Sequence, residues 1–145
     1  MATMISTIAV GTDGSASATE AVRMAADIAR RFDAKLVLLS AFQESGRAPK
    51  DRGGDPAEVQ WAFSSSARVQ EILARSENEL KQDGIACRTL VEEGDPAEVI
   101  VRLAEECGAD LLVIGNRGMH RRVLGSVPNT VTHRAPCSVL VAKTT

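Results

Sequence analysis

Leu111-Leu112-Val113-Ile114-Gly115-Asn116-Arg117-Gly118, followed after the six residues Met119 to Leu124 by Gly125-Ser126, is the stretch whose reading decides the fold. Four apolar residues in a row are a strand, the glycines a turn, and Ser126 the opening of a last helix. A strand that ends in such a turn and passes into a helix start delivers several backbone N–H groups and the positive end of a helix to one point, which is what a phosphate requires. The same letters also serve a plain turn and helix start. The loop alone does not choose between these, so the rest of the chain has to.

Working outward, the other segments alternate in the same way. Ile5 to Val10 is a first strand, leaving through Gly11-Thr12-Asp13-Gly14-Ser15, a cluster of turn and helix-capping residues. From Ser17 to Phe32 the apolar Ala21, Val22, Ala25, Ile28, Ala29 and Phe32 recur at three- and four-residue steps, and Asp33-Ala34 closes that helix. Lys35 to Phe42 is almost unbroken apolar sequence, as a strand covered on both faces should be. Residues 43–54 are polar and without period, long for a loop in a compact domain.

The six residues Gly54-Asp55-Pro56-Ala57-Glu58-Val59 recur as Gly94 to Val99. Each copy places Asp at a helix cap and Pro at the first helical position, one capping device used twice rather than a repeat architecture. The first predicts a helix from Asp55 that carries Val69, Ile72, Leu73 and Leu80 and ends near Gly84. The second opens a helix bearing Val99, Ile100, Leu103, Ala104 and Cys107, closed at Gly108. Between them Ile85 to Val91 alternates in polarity and reads as an edge strand. A last helix runs from about Ser126 to Arg134 and a last strand from Ser138 to Ala142. Five strands and four helices in strict alternation predict a single α/β domain over residues 1–145, a parallel sheet with helices on both faces. In such sheets ligands bind beyond the carboxyl ends of the strands, where the order reverses. With the first and fourth strands as central neighbours, both glycine-bearing loops border that crevice.

Composition narrows the function. A chain of 145 residues buries a core without disulfides or metals, and a net charge of −2 with no long like-charge block argues against nucleic-acid or membrane-surface binding. Cys87, Cys107 and Cys137 are an odd number without metal-like spacing, expected as buried small hydrophobes in a reducing compartment. Met1 to Met4 lack a charged leader, and no run approaches membrane length, so the expected location is the cytoplasm. No Walker-type loop and no Gly-x-Gly-x-x-Gly occurs. His120 and His133 have no triad partners by spacing, and His133 suits a helix carboxyl end. Trp61 is expected to pack at a helix start rather than to stack on a base. The chain is therefore expected not to be an enzyme, slow hydrolysis with Asp13 as its one candidate residue apart.

Taken together, these residues resemble the universal stress protein family along essentially the whole chain. The likeness is carried by Val10 to Ser15, Gly94-Asp95-Pro96, Gly115 to Gly118, Gly125-Ser126-Val127 and Ala135-Pro136-Cys137-Ser138-Val139-Leu140-Val141. The resemblance implies a five-stranded parallel sheet in the order 3-2-1-4-5, of the adenine nucleotide α-hydrolase-like type. It also implies a stress-response protein binding ATP, AMP or cyclic AMP, with or without magnesium, and a homodimer formed through the last strand. Its site would take in Thr12 and Asn116, Asp13 near the ribose and any magnesium, the Ala41 backbone at the adenine, and Gly115 at the ribose. Gly118, Gly125, Ser126 and Val127 would face the phosphates. ATP-binding members place nine residues between the second and third glycines. Here there are six, which draws in the loop around the outer phosphates, since each residue reaches at most about 3.5 Å. His120, Arg121 and Arg122 would then either supply phosphate charge or be solvated surface residues. The alternative implied function is a dimeric interaction module that binds no nucleotide.

Overall fold

The computed structural model describes residues 4–43, 65–116 and 125–144. Among these the chain runs β1 (Thr7–Gly11), α1 (Ala16–Phe32), β2 (Lys35–Phe42), α2 (Ser66–Gln82), β3 (Cys87–Glu93), α3 (Pro96–Glu106), β4 (Leu111–Asn116), α4 (Ser126–Arg134) and β5 (Ser138–Lys143). The strands form one parallel sheet in the order β3-β2-β1-β4-β5. The fold class and strand order expected from the sequence are both observed.

Each helix begins and ends for a local reason. Asp33 closes α1 in the left-handed conformation, where its N–H reaches the Ala29 and Arg30 carbonyls. Asp95 opens α3 by accepting the Glu98 N–H at 3.3 Å, with Pro96 at the first helical position, as the repeated hexapeptide predicts. Two expectations need correction. Within the described residues α2 starts at Ser66, because Ser65 is extended and its hydroxyl caps the Arg68 N–H. The helix start expected at Asp55 lies outside the described residues, as do Trp61 and most of the 43–54 loop. The third strand also begins at Cys87 rather than Ile85: the Ile85 N–H is spent on the Leu80 carbonyl at the end of α2.

Alternation along the strands divides the core in two. Ala9, Val37, Leu39, Leu112 and Ile114 point to the face covered by α3 and α4, and Ile8, Val10, Leu36, Leu38 and Val113 to the face covered by α1 and α2. The three central strands are thereby buried on both sides, which is why they read as unbroken apolar runs. The three cysteines are free but half-buried rather than fully buried, and burial is the first cause raising each thiol above its usual pKa.

At the amino-terminal end of the sheet Asp110 ties β4 to the entry of β1. One carboxylate oxygen accepts the Ser6 N–H at 2.9 Å, the Thr7 N–H at 3.0 Å and the Ser6 hydroxyl at 2.9 Å. Those donors hold its pKa below the usual value, the two backbone N–H groups first. A depressed folded pKa stabilises above the unfolded value, about 3.9, and the gain is lost as pH falls through the folded one. Asp110→Asn is accordingly expected to melt below the parent at neutral pH, with the gap closing as the pH drops below the carboxylate range. A gap that does not change with pH in thermal scans would remove the charge from this account.

Candidate functional site

All five buried polar residues among the described residues, Thr12, Asp13, Ser17, Ser40 and Thr144, lie at the carboxyl ends of the strands or in the first turn of α1. Burying polar groups costs free energy unless each finds a partner, and no buried side-chain polar atom among the described residues lacks one. The sequence concentrates that cost at one end of an otherwise apolar core.

The first rim is the turn after β1. Thr12 Oγ1 accepts the Gly14 N–H at 3.2 Å, Asp13 Oδ1 accepts the Ser15 N–H at 2.9 Å, and Ser15 Oγ caps α1 through the Ala18 N–H at 3.1 Å. Gly14 sits at φ +81°, a conformation that side chains resist, and a Cβ there would fall 2.7 Å from Ile72 of α2. Thr12 and Asp13 therefore have turn-forming roles of their own, whatever else they meet.

β2 runs past the end of β1 beside this turn. Leu39, the last β2 residue paired to β1, accepts the Thr12 N–H on that side, while Phe42 accepts the Gly94 N–H on the other. Backbone direction alternates with a period of two, so the N–H and C=O of Ala41 point to the β1 side, beyond β1's last residue. Where the ladder would have continued, the Ser40 hydroxyl donates to the Thr12 carbonyl at 2.6 Å instead. The Ala41 side chain itself is buried in the core.

The second rim is the end of β4. Val10 pairs with Val113, so β1 and β4 are neighbours and their exits lie side by side. Gly115 is half-buried where α1 crosses it: a Cβ there would approach the Ser17 carbonyl oxygen and hydroxyl at 3.2 Å each. Close passage of α1 thus explains this glycine independently of any ligand. Asn116 Oδ1 accepts the Gly125 N–H at 3.1 Å and clips together the two ends of residues 117–124, whose own arrangement lies outside the described residues. The expectations for Gly118, His120, Arg121 and Arg122 fall there.

Gly125 is the N-cap of α4 and offers no side-chain hydrogen bond, whereas Ser15, Ser65 and Asp95 cap the other three helices. Among the described residues, the first turn of α4 is thus the one helix start whose backbone donors receive no side-chain cap from the N-cap residue. Ser126 is exposed, and Val127 is buried against the core, so Val127 has only its backbone to present. Sequence reasoning missed a third component. Thr144, beyond β5, is buried, hydrogen-bonds the Ser17 hydroxyl and donates to the Asn116 carbonyl at 3.2 Å. It joins α1 to the end of β4, and no pattern in Lys143-Thr144 signalled it.

Chemically, the end of the sheet offers the start of α4, a carboxylate at Asp13 and, at Ala41, a stretch of β2 that runs beyond the last β1 residue paired with it. Among the described residues no three His, Cys, Asp or Glu side chains gather as a metal cluster, and no helix is long and apolar enough to cross a membrane. His133 lies at the far end of α4, where Nδ1 donates to the Asn129 carbonyl at 2.7 Å.

The family model of the universal stress protein family matches residues 4–143. A universal stress protein of Mycobacterium tuberculosis is 38% identical, with 96% of this chain and 97% of the relative covered. Among solved structures, a universal stress protein in complex with cAMP is similar at a TM-score of 0.74 and 32% identity, covering 99% of this chain and 100% of that one. An Arabidopsis thaliana family protein with AMP bound shares the fold at a TM-score of 0.72, 23% identity, and 97% and 92% coverage.

Proposed function

Because this chain belongs to the universal stress protein family, we propose that it is a stress-response protein that binds an adenine nucleotide between the exits of β1 and β4. The observation that supports the reading is the pairing of β1 with β4, which puts the exits of the two strands side by side, with the α4 start tied to the end of β4 through Asn116 and Gly125. The similar protein solved with cAMP supports an adenine ligand. In this reading the outward N–H and C=O of Ala41 meet the adenine edge, and Thr12, Asp13 and Gly115 border the ribose. The Gly125 N–H, expected to face a phosphate, is instead taken by Asn116 Oδ1, and the backbone of Ser126 and Val127 at the start of α4 faces the inner phosphate. Any magnesium would lie beside Asp13, and the part expected of Gly118 lies outside the described residues. The role is binding rather than turnover, in the cytoplasm.

Occupancy at about 100 times the dissociation constant stabilises a folded protein by about 2.7 kcal/mol, several degrees of melting temperature at this size. Melting with ATP, AMP and cyclic AMP in turn is expected to show that shift with at least one of them and not with guanosine. No shift at millimolar concentration, together with no nucleotide released from freshly purified, denatured protein, would leave the second reading: an interaction module without ligand. That reading is favoured by β5, which among the described residues pairs with β4 alone and stands at the end of the sheet. A second copy joined there would make a homodimer in either case. Sedimentation at micromolar concentration reads it, and a single species of monomer mass rules it out.

A further inference from the structure

Behind the crevice runs a chain of hydrogen bonds whose members include none of the groups placed against the nucleotide. Thr144, the residue after β5, is buried, and its hydroxyl donates to the Asn116 carbonyl at 3.2 Å. The hydroxyl of Ser17, buried in the first turn of α1, bonds the same Thr144 oxygen. A threonine hydroxyl carries one proton. With that proton on Asn116, Ser17 has to be the donor to Thr144, so the chain has a direction: Ser17 to Thr144 to the Asn116 carbonyl. Asn116 extends it through its side chain, where Oδ1 accepts the Gly125 N–H at 3.1 Å.

These bonds join the start of α1, the end of β4, the residue after β5 and the N-cap of α4, segments remote from one another in the chain. Bonds in such a buried chain polarise and strengthen their neighbours, and a member left unpaired is costly. Gly115 makes room for it, since a Cβ there would stand 3.2 Å from the Ser17 hydroxyl oxygen. Asn116 is thereby held twice, by Thr144 at its main chain and by Gly125 at its side chain. Releasing the first hold lets the second move, and the first turn of α4 with it. The Asp13 turn, the α1 cap and the Ser40 bond beside Ala41 are made by other partners and are not in the chain. We propose, on the nucleotide-binding reading above, that Thr144 is a positioning residue of that site: acting through Asn116 and Gly125, it sets the α4 start for the phosphate and leaves the nucleoside contacts alone.

Thr144→Val keeps the shape of the side chain and removes its hydroxyl, and Thr144→Ser keeps the hydroxyl. With no ligand present, the Gly125 amide proton is expected to exchange with solvent about tenfold faster in Thr144→Val than in the parent, and at the parent rate in Thr144→Ser, as read by NMR. In calorimetric titrations with ATP, AMP and cyclic AMP, each nucleotide that the parent binds is expected to bind Thr144→Val about tenfold more weakly, one neutral hydrogen bond's worth. Adenosine, which has no phosphate, is expected to bind parent and variant alike. Equal weakening of adenosine is what a merely structural role would give, and it overturns the positioning. So does a nucleotide affinity that Thr144→Val leaves unchanged or that Thr144→Ser fails to restore. An unaltered Gly125 exchange rate in Thr144→Val overturns the chain of bonds whether or not a nucleotide binds. A parent that binds none of the three nucleotides removes the proposed function, and the role of Thr144 in it, by a result distinct from all of these.

Discussion

Ile100→Ala is expected to lower the unfolding free energy by about 3–4 kcal/mol, and the melting temperature by about 10 °C at this chain length. Ile100 is 0% exposed on α3 and shares a cluster with Ala9, Leu39, Leu112 and Ile114. Alanine removes three carbons from a site closed on one side by the sheet and on the other by the α3–α4 pair, so the loss combines hydrophobic transfer with an unfilled cavity. Chemical denaturation followed by circular dichroism measures it. A change under about 1 kcal/mol would mean that the layer collapses to fill the space, and that α3 is held less firmly than its burial implies.

Gly14→Val is expected to cost about 3 kcal/mol and, on the proposed function, to weaken nucleotide binding beyond what lost stability explains. The first part is conformational: a β-branched residue at φ +81° pays about 1–2 kcal/mol. The second is steric, because three carbons of Ile72 lie within 3.1 Å of the new Cβ and α2 must move to admit it. Gly14 lies between Asp13 and Ser15, whose hydrogen bond shapes the first rim, so the displacement enters the site directly. The double variant with Ile72→Ala separates the two parts, relieving the steric share and leaving the conformational one. If it recovers no stability, the contact with α2 is not what the glycine serves.

Much of the fold is legible in the sequence because local signals and burial agree. The apolar run Lys35–Phe42 coincides with β2 to the residue, and the Asp95-Pro96 cap fixes α3. β3 is the exception. Its start is displaced because Gly84 and Ile85 finish α2, and it extends through Glu92 and Glu93 because β2 continues to Phe42 and supplies partners for them. A strand end dictated by its neighbour leaves no trace in its own letters. The site divides along the same line. Turn and cap residues such as Asp13, Gly14 and Ser15 announce themselves locally. The tie of Ser17 to Thr144, and the purpose of Gly115 as clearance for α1, are tertiary facts carried by residues with no distinctive pattern.

The two strands whose exits lie side by side are far apart along the chain: at their base Thr7 meets Asp110 across 103 positions. A nascent chain released before residue 111 therefore holds one bank of the hollow and nothing to face it. Closing so large a loop costs entropy before any contact repays it. Competence at the proposed site would consequently require residues beyond 110, and a fragment ending before them would lack it.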